Sequence, residues 1–110
     1  MRYNKKKDNQ MIGWIKLHRQ LLDWEWFSDL PTRTLFIYIL RKVNHEEKKW
    51  QGITIPVGTF ITSMPSLAEG SGLSYQQVRT SLVKLVSTGE VTDKSTNKYR
   101  AITVTNWEEH

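Results

Sequence analysis

Between Gly70 and Val78 the chain reads Gly-Ser-Gly-Leu-Ser-Tyr-Gln-Gln-Val, a stretch that leaves the backbone few choices. Gly72 suits the left-handed residue that closes a helix, because it has no Cβ to clash at positive φ. Ser74 then offers a hydroxyl to the bare N–H groups of a new helix, and Gln77 completes a capping box. Leu73 and Val78 stand at the spacing of a hydrophobic staple. Upstream, residues 63–72 predict a short helix that carries Leu67 and Ala68 on one face. Downstream, Val78, Leu82, Leu85 and Val86 follow the i, i+4, i+7, i+8 rule of a buried stripe. The opposite side holds Gln76, Thr80 and Lys84, flanked by Gln77 and Arg79. Two helices around a glycine turn form a helix-turn-helix pattern, whose second helix can enter a DNA major groove. A two-helix corner of any α protein has the same parts, so this stretch alone leaves both readings open.

The residues after the second helix favour DNA. Gly89 stops the helix, residues 90–95 and 99–104 alternate as strands, and Thr96-Asn97-Lys98 is a turn signal. A hairpin directly after a reading helix is expected to be a wing. Lys94, Asn97, Lys98 and Arg100 lie on it, with the cations at its tip, where they suit phosphate contact better than base reading.

The rest of the chain supplies a scaffold. Residues 14–23 predict an amphipathic helix whose apolar side, with Trp14, Ile15, Leu17, Leu21 and Leu22, covers roughly 160° of arc. That arc is wide for a helix facing only its own core. Together with Trp24, Trp26 and Phe27 it suggests an oligomer interface, formed by Trp14, Leu17, Leu21, Trp24, Trp26 and Phe27. The alternative for the aromatic cluster, and the favoured one, is a lid on the core. Asp29 or Thr32 can cap the next helix, with Pro31 in its first turn and Leu35, Phe36, Ile39, Leu40 and Val43 as its core stripe. Residues 46–49 read as a charged loop and 50–55 as a short strand. Pro56-Val57-Gly58 then turns the chain into a second strand, 59–62.

The chain has 110 residues and a formal net charge of +5, unevenly placed. Residues 1–50 carry 11 Lys and Arg against six Asp and Glu, whereas residues 51–110 carry five of each. The basic footprint of the reading half is therefore modest, and an isolated monomer should hold DNA weakly. No cysteine is present, which excludes disulfides and thiolate metal sites and points to a reducing compartment. The longest apolar run, Leu35 to Leu40, is too short to span a bilayer, so no membrane partner and a cytoplasmic location are expected.

The order helix, helix, strand, helix, turn, helix, hairpin is that of a winged helix. Gly13-Trp14-Ile15-Lys16-Leu17-His18-Arg19, Trp26-Phe27, Leu35-Phe36 and Val43-Asn44-His45 are the first residues of a family resemblance. It continues through Gly58 to Ser63, Leu67-Ala68-Glu69, Gly72-Leu73-Ser74, Gln77-Val78-Arg79 and Thr96-Asn97-Lys98-Tyr99. Across residues 13 to 107 the chain resembles the N-terminal domain of phage replisome organisers, relatives of the DnaD primosome component of Gram-positive bacteria. The resemblance implies a winged helix that binds origin DNA or makes oligomers, alongside replication initiation or helicase-loading proteins. Family members continue into a C-terminal domain, so this chain is expected to be an excised domain or a short relative. One departure is Gly70-Ser71, where the family more often carries a longer polar residue.

Catalytic chemistry is not expected. His18, His45 and His110 are scattered and lack the spacing of zinc ligands. Gly70-Ser71-Gly72 lacks the Lys-Ser/Thr of a phosphate-cradling loop. Glu46-Glu47 and Glu108-Glu109 fall in a loop and at the end of the chain, poor places to hold an acid and a base. The expectation is thus a non-enzymatic, mainly α, α+β winged helix-turn-helix without cofactors. It has a disordered basic tail at 1–11, one domain at 12–107 and terminal residues 108–110. Its partners are expected to be double-stranded DNA and a second copy in a homodimer or higher oligomer. Two other readings share this fold: a primosome scaffold with little DNA affinity, and a transcriptional regulator.

Overall fold

The computed structural model describes residues 23–105. The expected tail at 1–11, the expected helix over 14–22 with Trp14, Leu17 and Leu21, and residues 108–110 lie outside that range. The described residues build an α+β unit of three helices and two antiparallel sheets.

Helix α1, Leu30–Lys42, starts at Asp29, whose carboxylate accepts the Thr32 N–H at 3.3 Å. Pro31 occupies the first turn, where no intrahelical N–H is lost. Leu35, Phe36, Ile39 and Leu40 bury one face, and Val43 at the C-cap extends it. Of the two caps that the sequence offers, Asp29 is the one used.

Where one strand was expected over 50–55 there is a hairpin, β1 (Lys48–Trp50) paired with β2 (Ile53–Ile55). Gln51 and Gly52 both adopt positive φ, 47° and 79°, as a two-residue type I′ turn demands. Gln is a rare first residue for that turn, which hid it. Lys48 and Lys49, expected in a loop, are strand residues. Gly58 donates to the Asn44 carbonyl at 2.9 Å and Asn44 donates to that of Thr59 at 3.0 Å, tying the exit of α1 to β3.

Strand β3 (Thr59–Thr62) does more than deliver the chain to the next helix. It pairs with β5 (Arg100–Val104), which also pairs with β4 (Val91–Ser95), in the order β3-β5-β4. Phe60 opposes Ile102, and Val91 opposes Val104, so one face of this sheet is apolar and closes the core.

Helix α2, Met64–Ser71, is capped by Ser63 and closed by Gly72 at φ 77°, whose N–H reaches the Ala68 carbonyl. Helix α3, Tyr75–Ser87, opens with both halves of the Ser74–Gln77 capping box in place. Leu35, Ile39, Leu67, Val78, Leu82 and Leu85 share one buried cluster, as their spacing predicts. Val86 departs from its expected place: it is 42% exposed, because it lies at the edge of the stripe, facing the sheet side. The small Ser81 is buried instead.

Gly70 has a packing reason to be small. A Cβ there would overlap the hydroxyl and ring edge of Tyr38, so α1 lays an aromatic ring directly on the backbone of α2.

Candidate nucleic-acid interface

Helix α3 is the element around which the candidate interface is built. Its inner face is fixed by Val78, Leu82 and Leu85, which leaves three kinds of surface outside. Gln76, Arg79, Thr80 and Val83 are exposed. The Gln76 amide donates to the Thr80 hydroxyl at 3.4 Å, aligning the two along the helix. Arg79 has no ion-pair partner among the described residues. These positions fit the expected reading face.

Gln77 and Lys84 do not. The Gln77 side-chain carbonyl accepts the Ser74 N–H at 3.0 Å, so its acceptor is committed to the helix's own start. Lys84 reaches across to Asp29, Nζ to Oδ2 2.5 Å, and lies 5.4 Å from the centroid of the Trp26 ring. Roughly 100° per residue places both on the flank toward α1, away from the outermost line. The hydrogen bond from Lys84 holds the Asp29 carboxyl below its ordinary pKa, against the opposing effect of desolvation. Asp29 therefore caps α1 and anchors α3 at once.

The hairpin also divides. Asn97 and Lys98 form its turn, where the Thr96 hydroxyl accepts the N–H groups of Lys98 and Tyr99, each at 3.2 Å. Both line a cleft of about 310 Å³ with Thr62, Ser63, Met64 and Pro65 at the start of α2. Arg100 is not at the tip. It sits in the central strand opposite Ser95 and Thr62 and is paired with Asp93. Lys94 is exposed, but strand alternation puts it on the sheet face opposite Val91 and Asp93. It is separated from Arg79.

A second cleft, about 600 Å³, runs between α3 and the sheet. Tyr75, Arg79, Val83 and Val86 form one wall, and Asp93 with Arg100 the other. Met64 and Arg100 line both clefts, so Arg79 and Lys98 stand along one connected surface.

The aromatic cluster turns inward. The Trp24 indole donates to Glu90 at 2.7 Å and its ring packs on Phe36, centroids 5.0 Å apart. The Trp26 indole donates to the Thr88 hydroxyl at 3.0 Å, and the Arg33 guanidinium lies 4.6 Å from the Phe27 ring centroid. Trp24, Trp26 and Phe27 pack against the core as a lid; as an oligomer interface they would have to act from these half-buried places. Among the described residues no group of His, Asp or Glu could hold a metal ion, and no helix is long and apolar enough to cross a membrane.

Val83 carries a weaker signal in the sequence. Its angular position places it beside Gln76 and Thr80, but its side chain has no hydrogen-bonding group to mark it as a reader. The anchoring of Lys84 by Asp29 carries no local signal, since the partners are 55 residues apart. No protein-family model matches the chain, no curated protein matches it, and no solved structure matches it.

Proposed function

We propose that this chain is a winged-helix DNA-binding module, with α3 as reading helix and the β4–β5 hairpin as wing, serving a replication initiation protein of the replisome-organiser kind. The observation that carries the reading is Arg79: exposed, unpaired among the described residues, and on the outer side of a capped helix beside the hairpin that bears Lys98. A free guanidinium in that position suits guanine O6 and N7, and Gln76 suits adenine. Asn97 and Lys98 suit phosphate, as does the start of α2 between them and α3. The replication role rests on the family resemblance; a transcriptional regulator uses the same surface.

Duplex binding measured by fluorescence anisotropy across a salt series tests this. Arg79→Ala should relax sequence preference and cost about 1–3 kcal/mol on the preferred duplex. Lys98→Ala should weaken all duplexes alike and lower the salt slope by about one. Isotherms unchanged by both substitutions would refute the assignment. A second reading, an assembly scaffold with little DNA affinity, is favoured by the exposed Tyr75, Val83 and Val86 on one side of α3. It predicts self-association in sedimentation with no duplex binding at low salt.

A further inference from the structure

Val83 is the most exposed large hydrophobic among the described residues, at 64%, and its neighbours along the outer line of α3 are polar. Thr80 precedes it by one helical turn, Gln76 lies on the same line, and Ser87 follows one turn later. Tyr75, Arg79 and Val86 flank it on the cleft side, and an isopropyl group at this outermost position is poorly placed against phosphate. It is well placed against the C5-methyl of a thymine, the one apolar feature of the major-groove edge.

Gln76 adds a second element. Its amide already gives one N–H to Thr80, which fixes its direction along the helix and leaves a carbonyl and a second N–H to face outward. That acceptor-plus-donor pair complements adenine N6 and N7. Seven residues separate Gln76 from Val83, about 10.5 Å of helix at 1.5 Å per residue. With a rise of about 3.4 Å per base pair, this spans about three base pairs.

Resting on the DNA-binding reading, we propose that Val83 is a specificity-determining residue that reads a thymine methyl, about three base pairs from an adenine read by Gln76. The preferred sites of this protein then contain an adenine and a thymine at that fixed spacing. Arg79, one turn before Val83 on the same cleft wall, stands outside that pair.

Replacing thymine by deoxyuridine removes only the methyl group and leaves pairing intact. Duplexes are selected from a random library with the wild-type chain, and each thymine of the preferred site is then replaced singly. One replacement should weaken wild-type binding about fourfold, the effect of a single buried methyl-sized group. Val83→Ala should bind the thymine and deoxyuridine duplexes equally, while Val83→Thr, which keeps one methyl, should retain part of the discrimination. Circular dichroism should find both variants folded, since the side chain lies outside the core. If the preferred sites lack thymine, or Val83→Ala keeps the full deoxyuridine penalty, the inference is overturned while DNA binding stands. If Val83→Ala leaves every isotherm unchanged but dissolves self-association in sedimentation, Val83 belongs to a protein contact and the inference is likewise overturned. Absence of duplex binding by the wild type at low salt removes the DNA-binding reading, and this inference with it.

Discussion

On the flank of α3 that meets α1, polar side chains are committed: Lys84 to Asp29 and Trp26, Gln77 to the helix's own first turn. On the flank that meets the sheet, Arg79 stands unpaired over a cleft whose far wall has already paired its own cation, Arg100, with Asp93. Each flank carries one cation, Lys84 on one and Arg79 on the other. They differ in what approaches them from elsewhere in the chain. A surface cation is available to a ligand only when the fold brings no carboxylate to it.

Substitutions can break this contrast or sharpen it. The largest effect should come from the line that holds both flanks in place: Leu82→Ala should cost about 2–5 kcal/mol. A denaturant midpoint equal to the wild type would remove Leu82 from the core.

Asp29 comes next, because it serves α1 and α3 together. Asp29→Ala removes both the cap and the ion pair and should cost about 1–2 kcal/mol. Asp29→Asn keeps a capping oxygen, so its cost should fall below about 1 kcal/mol, the range of a partly exposed ion pair. The folded-state pKa of Asp29 is lowered. Its charge therefore stabilises the fold above the ordinary carboxylate value of about 3.9, and the contribution is lost as pH falls through the folded value. Thermal melts should show the wild type ahead of Asp29→Asn near neutral pH and level with it at strongly acid pH. A gap that persists in acid would rule out the Lys84–Asp29 pair as its source.

The smallest and sharpest contrast lies between two neighbouring glutamines. Gln77→Ala removes a capping bond and should lower stability by about 0.5–1 kcal/mol, with DNA preference intact. Gln76→Ala should leave stability within about 0.5 kcal/mol and alter base preference. Paired melts and binding isotherms check this; matching behaviour of the two would erase the distinction between the α1 flank and the outer line of α3.

What the sequence discloses about this molecule tracks the range of each interaction. Gly72, Ser74 and Gln77 act on backbone within four residues of themselves, and all three take their expected roles. The stripes of α1 and α3 are equally local, save at Val86, where a residue at the stripe's edge meets a cleft instead of the core. The β1–β2 hairpin was hidden because Gln51 is an unusual residue for a positive φ. Arg100 illustrates the intermediate range. Once the hairpin's register is known, Asp93 and Arg100 are diagonal neighbours on one face, a pairing that cross-strand geometry favours. The Lys84–Asp29 pair needs the whole fold, and nothing near either residue foretells it.

The seat that Gly70 makes for Tyr38 has a consequence for how such a chain can drift. Position 70 would accept alanine gladly on helix propensity alone, by about 1 kcal/mol. A Cβ there would require the half-buried Tyr38 ring to swing aside, so two positions 32 residues apart share one space. Tyr38→Ala should therefore make Gly70→Ala more favourable than it is in the wild type, a coupling that paired thermal melts would read.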